Sequence, residues 1–185
     1  MRKVVFAINV SLDGCCDHTK MIGDEAIHEY FADLIRGAGL LAYGRITYQL
    51  MVPYWPEIAK NKSGQTKAAN DFAQAFDSID KIVFSRSLDK VEDKKSRLVR
   101  NTLAAEIGKL KQEEGAPILL GGVDLPSQLI ELGLVDEFNI VVLPIVVGEG
   151  RRLFEAARLP ERLPLKLVET KVLKSGQIAL RYVKQ

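Results

Sequence analysis

The stretch LLAYGRITYQLM, residues 40–51, joins a buried strand to a helix and decides how the chain is interpreted. Its apolar run stops at Gly44, Arg45 follows at once, and Thr47 opens a short helical segment. A glycine lets a ligand approach the backbone, and an arginine can contact a phosphate through two N–H groups. The stretch therefore predicts either a tight turn with a solvated charge or a cradle for an anionic cofactor.

Strand and helix patterns alternate on both sides of this corner. Runs rich in β-branched residues predict strands over residues 3–14, 40–43, 80–85, 116–122 and 136–148. The helical spacing of apolar residues predicts helices over residues 24–39, 68–79, 101–115 and 124–134. We expect Asn101 to cap the third helix and Gly115 to end it. Residues 52–67 have the composition of a polar loop, and residues 165–184 that of a hairpin turning at Ser175-Gly176.

This order of elements predicts a single domain over residues 1–185. Alternating strands and helices are typical of an α/β fold whose central sheet is mostly parallel. The strand-rich C-terminal part adds antiparallel strands at one edge of that sheet. No internal repeat, low-complexity segment or linker interrupts the pattern.

Charge, hydropathy and cysteine content exclude several classes of protein. The 26 basic and 24 acidic residues give a net charge of +2, which does not suggest a nucleic-acid partner. The longest apolar runs are strand-sized, so no membrane span is expected, and Met1 leads into the first strand without a leader segment. Cys15 and Cys16 are adjacent and cannot readily bridge each other. The two histidines do not complete a metal-ligand pattern with them, so we expect no metal site and a reducing, cytoplasmic compartment.

Two further strand ends carry the same kind of residues as Gly44. Ser85 and Arg86 follow one predicted strand, and Gly121 and Gly122 stand between another strand and a helix. Each feature alone has a plain interpretation as a structural glycine or a surface charge. Together they favour a ligand with a pyrophosphate and a separate phosphate, as in NADPH, because ligands of such sheets bind beyond the carboxyl ends of the strands. The ordinary dinucleotide and P-loop fingerprints are both missing.

The segments VVFAINVSLDG, LLAYGRITYQLMVPYWP and ILLGGVDLPSQLIELGLVDEFNIVVLPIVVGEGRRLF resemble the dihydrofolate reductase-like superfamily. The closer branch is the C-terminal reductase domain of the bifunctional riboflavin-biosynthesis deaminase–reductase. The resemblance implies a three-layer αβα fold, NADPH as the cofactor and a small-molecule substrate. It also implies a homodimer with the strand-rich tail at its interface.

The resemblance assigns roles to individual residues. On the first strand, Asn9 lies where the family's backbone approaches the nicotinamide, and it is assigned a catalytic role. Asp13 leads into the loop over the nicotinamide and is assigned to substrate binding. Cofactor binding is assigned to a set of residues at the strand ends: Ser11, Gly44, Arg45, Thr47, Ser85, Arg86, Gly121, Gly122 and Leu125.

The substrate side of the predicted site is less defined than the cofactor side. His28 stands at about the place of the helix carboxylate of folate reductases, so it is the candidate proton donor, or else a partly buried structural histidine. Trp55 either closes a loop over the cleft or forms an aromatic wall for the substrate. Arg151 either binds a substrate phosphate or contacts another subunit.

Two enzymatic activities and one non-enzymatic role agree with these residues. Reduction of a ribosylaminopyrimidine phosphate, the riboflavin-type reaction, ranks first because it needs only a weak proton donor. A dihydrofolate or pterin reductase is the alternative, and a non-catalytic NADPH-binding protein is the third possibility.

Overall fold

One sheet of eight strands forms the centre of the computed structural model, which describes residues 1–21, 23–155 and 162–185. The strands are β1 (Val4–Ser11), β2 (Leu40–Gly44), β3 (Lys81–Phe84), β4 (Ser96–Val99), β5 (Ile118–Leu120), β6 (Glu137–Leu143), β7 (Leu165–Val172) and β8 (Ile178–Lys184). Their order across the sheet is β4-β3-β2-β5-β1-β6-β8-β7. Neighbours from β4 to β6 pair in parallel, whereas β8 pairs antiparallel with both β6 and β7. The predicted α/β fold with antiparallel C-terminal strands is therefore confirmed.

Helices cover both faces of the parallel part of this sheet. They are α1 (Glu25–Arg36), α2 (Arg45–Met51), α3 (Trp55–Asn61), α4 (Lys67–Ser78), α5 (Leu103–Gln112) and α6 (Asp124–Glu131). Alternate residues of β1 point to opposite faces, as the period of a strand requires. Val5 packs in one core with Phe76 of α4, and Phe6 packs in the other with Leu129 of α6. In the part of the chain that the structure describes, no helix is long and apolar enough to cross a membrane.

Three local predictions are wrong, each for a local reason. Residues 52–67 contain helix α3, because Pro56 stands in the first helical turn, where a missing N–H group costs nothing. Thr102 rather than Asn101 precedes α5, and that helix ends at Gln112, before Gly115. Strand β4 was not predicted, because its four residues directly follow a run rich in charged side chains. The predicted C-terminal hairpin is confirmed, with Gly176 in its turn at a φ of +86°.

Candidate active site

A cavity of about 1250 Å³ opens beyond the carboxyl ends of the central parallel strands. Residues at or just after the ends of β1, β2, β3 and β5 line it: Asn9, Gly44, Ser85, Arg86, Gly121 and Gly122. These strands are parallel, so their carboxyl ends share one edge of the sheet. The structure therefore brings the three predicted strand ends together in one cavity.

The diglycine after β5 packs directly against the corner between β2 and α2. A Cβ atom on Gly121 would collide with the ring of Tyr43, and one on Gly122 would collide with Oγ1 of Thr47. Gly122 also has a φ of +86°, a conformation that side chains rarely adopt. Both glycines are thus required by the fold, and they present bare backbone to the cavity.

Gly44 differs from the diglycine because the fold does not require it. Its φ is −80°, and a Cβ atom there would meet only Cβ of Leu125, at 3.8 Å. That distance is ordinary van der Waals contact, so an alanine fits. Arg45, the next residue, is exposed and donates a hydrogen bond to Gln49 Oε1 at 3.0 Å. The absence of a side chain at Gly44 therefore leaves space at the cavity wall that neighbouring side chains do not fill.

The turn after β3 is fixed from two sides. The Ser85 hydroxyl oxygen accepts the N–H groups of Ser87 and Leu88, at 3.2 and 2.9 Å. The Arg100 guanidinium, at the end of β4, donates to the carbonyl oxygens of Arg86 and Leu88 at 3.0 and 2.7 Å. It also donates to a third carbonyl of the same turn. Arg100 therefore holds the turn that carries Arg86, and both arginines line the cavity.

Three arginines give this part of the cavity an uncompensated positive charge. Within the described residues, none of Arg45, Arg86 and Arg100 forms an ion pair. All three are exposed and line the cavity. We call the part formed by these arginines and by Gly44, Ser85, Gly121 and Gly122 the cationic end.

Aromatic side chains from three helices form another part of the wall. His28 of α1 lies edge-on to Trp55 of α3, with 5.5 Å between ring centroids, and 5.8 Å from Phe72 of α4. The rings of Trp55 and Phe72 are 4.5 Å apart. Burial lowers the pKa of His28, whereas the charges of Asp24 and Glu25 act in the opposite direction. The imidazole is therefore mainly neutral near pH 7.

Asn9 of β1 completes this part of the cavity. Its side-chain amide donates a long hydrogen bond to Sδ of Met21, at 3.8 Å. Asn9 and His28, the two predicted catalytic residues, thus line the same cavity as Trp55, the predicted substrate wall. We call this part the aromatic end, and its lining residues are Asn9, Met21, Ile27, His28, Phe31, Leu50, Trp55 and Phe72.

Ser11 and Asp13 do not line the cavity in which the sequence placed them. The buried Ser11 hydroxyl donates to Asp13 Oδ1 at 2.6 Å. The Asp13 carboxylate accepts the backbone N–H of Gly148 at 2.9 Å and pairs with Arg152 at 2.7 Å. The hydrogen bonds from Ser11 and Arg152 hold the pKa of Asp13 well below its usual range. These side chains instead fasten the segment that follows β6 to the end of β1.

Arg151 lines the cavity, but its charge is compensated. Its guanidinium pairs closely with Asp124, the first residue of α6, and lies 3.8 Å from Glu155 Oε1. The hydrogen bond that Arg151 donates to the Asp124 carboxylate raises the pKa of Arg151. Leu125, also predicted at the cofactor site, is buried beneath Gly44 in the wall.

The sequence matches a known family over almost its whole length. Residues 2–179 match the model of the RibD C-terminal domain. The chain belongs to the RibD C-terminal domain family. Protein YyaP of Bacillus subtilis (strain 168), described as uncharacterized, is 31% identical over 185 residues, covering 98% of this chain and 94% of YyaP.

Solved structures share the fold of this RibD C-terminal domain. RibD of Acinetobacter baumannii, form 1, superposes with a TM-score of 0.72 at 17% identity, over 100% of this chain and 58% of that one. A pyrimidine reductase-like protein from Corynebacterium diphtheriae gives a TM-score of 0.68 at 14% identity, over 100% of this chain and 92% of that one. The family match confirms the resemblance to the riboflavin branch, and the solved structures confirm the three-layer dihydrofolate reductase-like fold.

Some residues of the cavity wall in this RibD C-terminal domain were not predicted from the sequence. Arg100, Asn101 and Thr102 line the cavity at the end of β4 and the start of α5. Phe72 was assigned to a helix without a role in the site. Had β4 been recognised, Arg100 would have been one more arginine at a strand end, the signal that pointed to Arg86.

Proposed function

We propose that the protein is an NADPH-dependent reductase that transfers hydride to a heterocyclic or ribosylamino substrate. The observation that carries this proposal is one cavity with two unlike ends. The cationic end combines bare backbone with three unpaired guanidinium groups. The aromatic end combines ring-shaped side chains with a mainly neutral histidine. Such a pair of ends suits a phosphate-bearing cofactor and a ring-bearing substrate.

The cationic end fits the phosphates of NADPH. The fold does not require a glycine at position 44, so the absence of a side chain there leaves room for a ligand at the cavity wall. Gly121 and Gly122 expose their backbone. Arg86 and Arg100 would hold the phosphate that distinguishes NADPH from NADH, and Arg45 would hold the pyrophosphate with the glycines. When bound, NADPH supplies the hydride, and the protein supplies orientation and exclusion of water.

The residues of the aromatic end would bind and orient the substrate ring. The Asn9 amide offers both a donor and an acceptor to a polar ring edge, and Trp55 and Phe72 exclude water from its faces. Neutral His28 can take up a proton at one nitrogen and deliver the proton of its other nitrogen to the substrate, so it can act as a weak proton donor. No carboxylate among the described residues lines this end.

Two substrate classes follow from this reaction. The riboflavin-type ribosylaminopyrimidine is supported by the family and by the weak proton donor. A pterin is supported by the aromatic walls around His28. Consumption of NADPH in the presence of either compound tests the proposal. His28→Ala is the variant expected to slow turnover, and Arg36→Ala, on the same helix but outside the cavity wall, is its control. Tight NADPH binding without turnover of any ring compound would favour a non-catalytic binding protein.

The assembly and the location belong to the same proposal. Strand β7 is the edge of the sheet, and Leu167, Val168 and Val172 on it are exposed, as is Ile178 on β8. We propose that a second copy of this chain covers that edge, so light scattering should give the mass of a dimer. The free thiols of Cys15 and Cys16 agree with a reducing, cytoplasmic compartment.

A further inference from the structure

The two ends of the cavity differ in charge. None of the eight residues that define the aromatic end is a lysine, arginine, aspartate or glutamate. The charged residues that line other parts of the same cavity are Asp17, Arg45, Arg86, Arg100, Asp124 and Arg151. Its polar groups are the Asn9 amide and the His28 imidazole. A phosphate on a substrate would need a charged donor, because hydrogen bonds to ionised groups are the strong ones.

Each arginine that lines the cavity already has an assigned ligand or an ion-pair partner. Arg45, Arg86 and Arg100 belong to the cationic end, where the phosphates of NADPH would use them. Arg151 lies elsewhere on the wall and is paired with Asp124. Nothing in the described wall therefore leaves a free cation for a second phosphate.

The loop after β1 adds negative rather than positive charge. Asp17 lines the cavity, and hydrogen bonds from Thr19 lower the pKa of Asp17, so it stays ionised. Lys20, on the same loop, is held 2.6 Å from Glu149 Oε1. The described part of this loop therefore offers a phosphate an ionised carboxylate and no unpaired lysine or arginine.

We propose that the aromatic end binds a planar, uncharged heteroaromatic ring that carries no phosphate group. The proposal deepens the proposed function, on which it rests for the hydride donor, and it restricts both substrate classes given there to compounds without a phosphate group. Trp55 and Phe72 supply aromatic surfaces for the ring, and Asn9 and His28 supply hydrogen bonds to its nitrogen and oxygen atoms. Burial keeps the imidazole neutral, which suits an uncharged ring edge better than a phosphate.

Trp55 makes this proposal directly measurable. It is the one tryptophan of the chain, so its fluorescence reports on the aromatic end alone. The protein is saturated with NADP⁺ and titrated with three probes: pterin, 5-amino-6-(ribosylamino)uracil, and the 5′-phosphate of the latter. We expect pterin and the phosphate-free uracil to quench Trp55 with dissociation constants at least about tenfold lower than that of the phosphate. Tighter or equal binding of the phosphate, or no quenching by any probe, would overturn the proposal.

A charge-adding variant gives the complementary result. Leu50 lies in the last turn of α2, lines the aromatic end and is 43% exposed, so an arginine there can reach both solvent and ligand. We expect Leu50→Arg to strengthen binding of the phosphate by about tenfold. Leu132→Arg, at the end of α6 and 52% exposed, adds the same charge elsewhere on the wall and should leave that binding unchanged. No gain in Leu50→Arg, with the fold intact by circular dichroism, would contradict the assignment of this end.

The readout separates this proposal from the proposed function. If NADP⁺ does not bind, the titration is repeated without it, and quenching of Trp55 still ranks the three probes. Failure of NADP⁺ to bind with the expected ranking intact would remove the reductase and keep the ring site. Binding of NADP⁺ with the reverse ranking would keep the reductase and remove the phosphate-free ring.

Discussion

Oγ1 of Thr47 occupies the space that a side chain on Gly122 would need. The turn between β5 and α6 is therefore pressed against the corner between β2 and α2, and the two segments form one continuous wall. Gly44, in the same wall, has no such neighbour, since a Cβ there would meet only Leu125 at 3.8 Å. The contrast separates a glycine that the fold requires from a glycine that leaves room for a ligand.

Gly122→Ala should destabilise the protein through both backbone and packing. A left-handed φ costs an L-residue about 1–2 kcal/mol, and overpacking costs about 1–3 kcal/mol. We expect the free energy of unfolding in urea to fall by about 2–5 kcal/mol. Gly176→Ala is the control, because Gly176 has the same φ of +86° but nothing within 4 Å of the added Cβ. Equal losses in the two variants would show that the contact with Thr47 has no cost.

Gly44→Ala should separate binding from stability. The free energy of unfolding should change by less than about 1 kcal/mol, because the φ of −80° and the surrounding space both accept a Cβ. Affinity for NADPH should fall at least about tenfold, since the methyl group projects into the cavity wall used by the phosphates. Titration followed by NADPH fluorescence measures the second effect. Unchanged affinity would show that no ligand approaches Gly44.

Arg86→Ala should weaken NADPH more than NADH. A hydrogen bond to an ionised group contributes about 1.5–3 kcal/mol, which corresponds to a loss of roughly tenfold or more in affinity. Arg100→Ala should reduce the same preference, because Arg100 holds the carbonyls of the turn that carries Arg86. Arg36→Ala is the control, since Arg36 is paired with Asp33 on α1 and does not line the cavity. An unchanged ratio of NADPH to NADH affinity in both cavity variants would show that these arginines do not contact the cofactor.

His28 should make stability depend on pH in a known direction. Burial lowers the pKa of His28 in the folded state, so the unfolded chain binds the proton more readily. Above the unfolded pKa of about 6.5 the imidazole is neutral in both the folded and the unfolded chain, so its burial has no cost from lost protonation. The free energy of unfolding decreases as pH falls below that value.

We expect His28→Gln to reduce the loss of unfolding free energy between about pH 7.5 and about pH 5.5. A pH dependence that His28→Gln leaves intact would mean that His28 titrates alike in the folded and unfolded chains.

Local patterns in the sequence pointed to every residue of the cationic end except Arg100. Gly44, Arg86 and Gly121 each follow a recognisable buried strand, and parallel strands bring such positions to one edge. Arg100 escaped because β4 has only four residues and directly follows a run rich in charged side chains. Arg100 was not predicted as a site residue because strand β4, which it follows, was not predicted.

Long-range contacts explain what the sequence could not show. Asp13 and its partner Arg152 are far apart in the chain, so no local pattern revealed that the carboxylate is used by the fold. The ion pair that neutralises the charge of Arg151 also joins it to a distant residue, Asp124. Residues of the aromatic end come from β1, the loop that follows it and four helices, and only the tertiary packing joins them.

Calorimetric titration of the purified protein with NADPH and with NADH tests the central claim most directly. A cavity with three unpaired arginines beside bare backbone should bind NADPH with micromolar affinity and NADH at least about tenfold more weakly. Equal affinities would show that the guanidinium groups of the cationic end do not recognise the additional phosphate. Binding of neither cofactor would contradict the assignment of this cavity to a nicotinamide-dependent reductase.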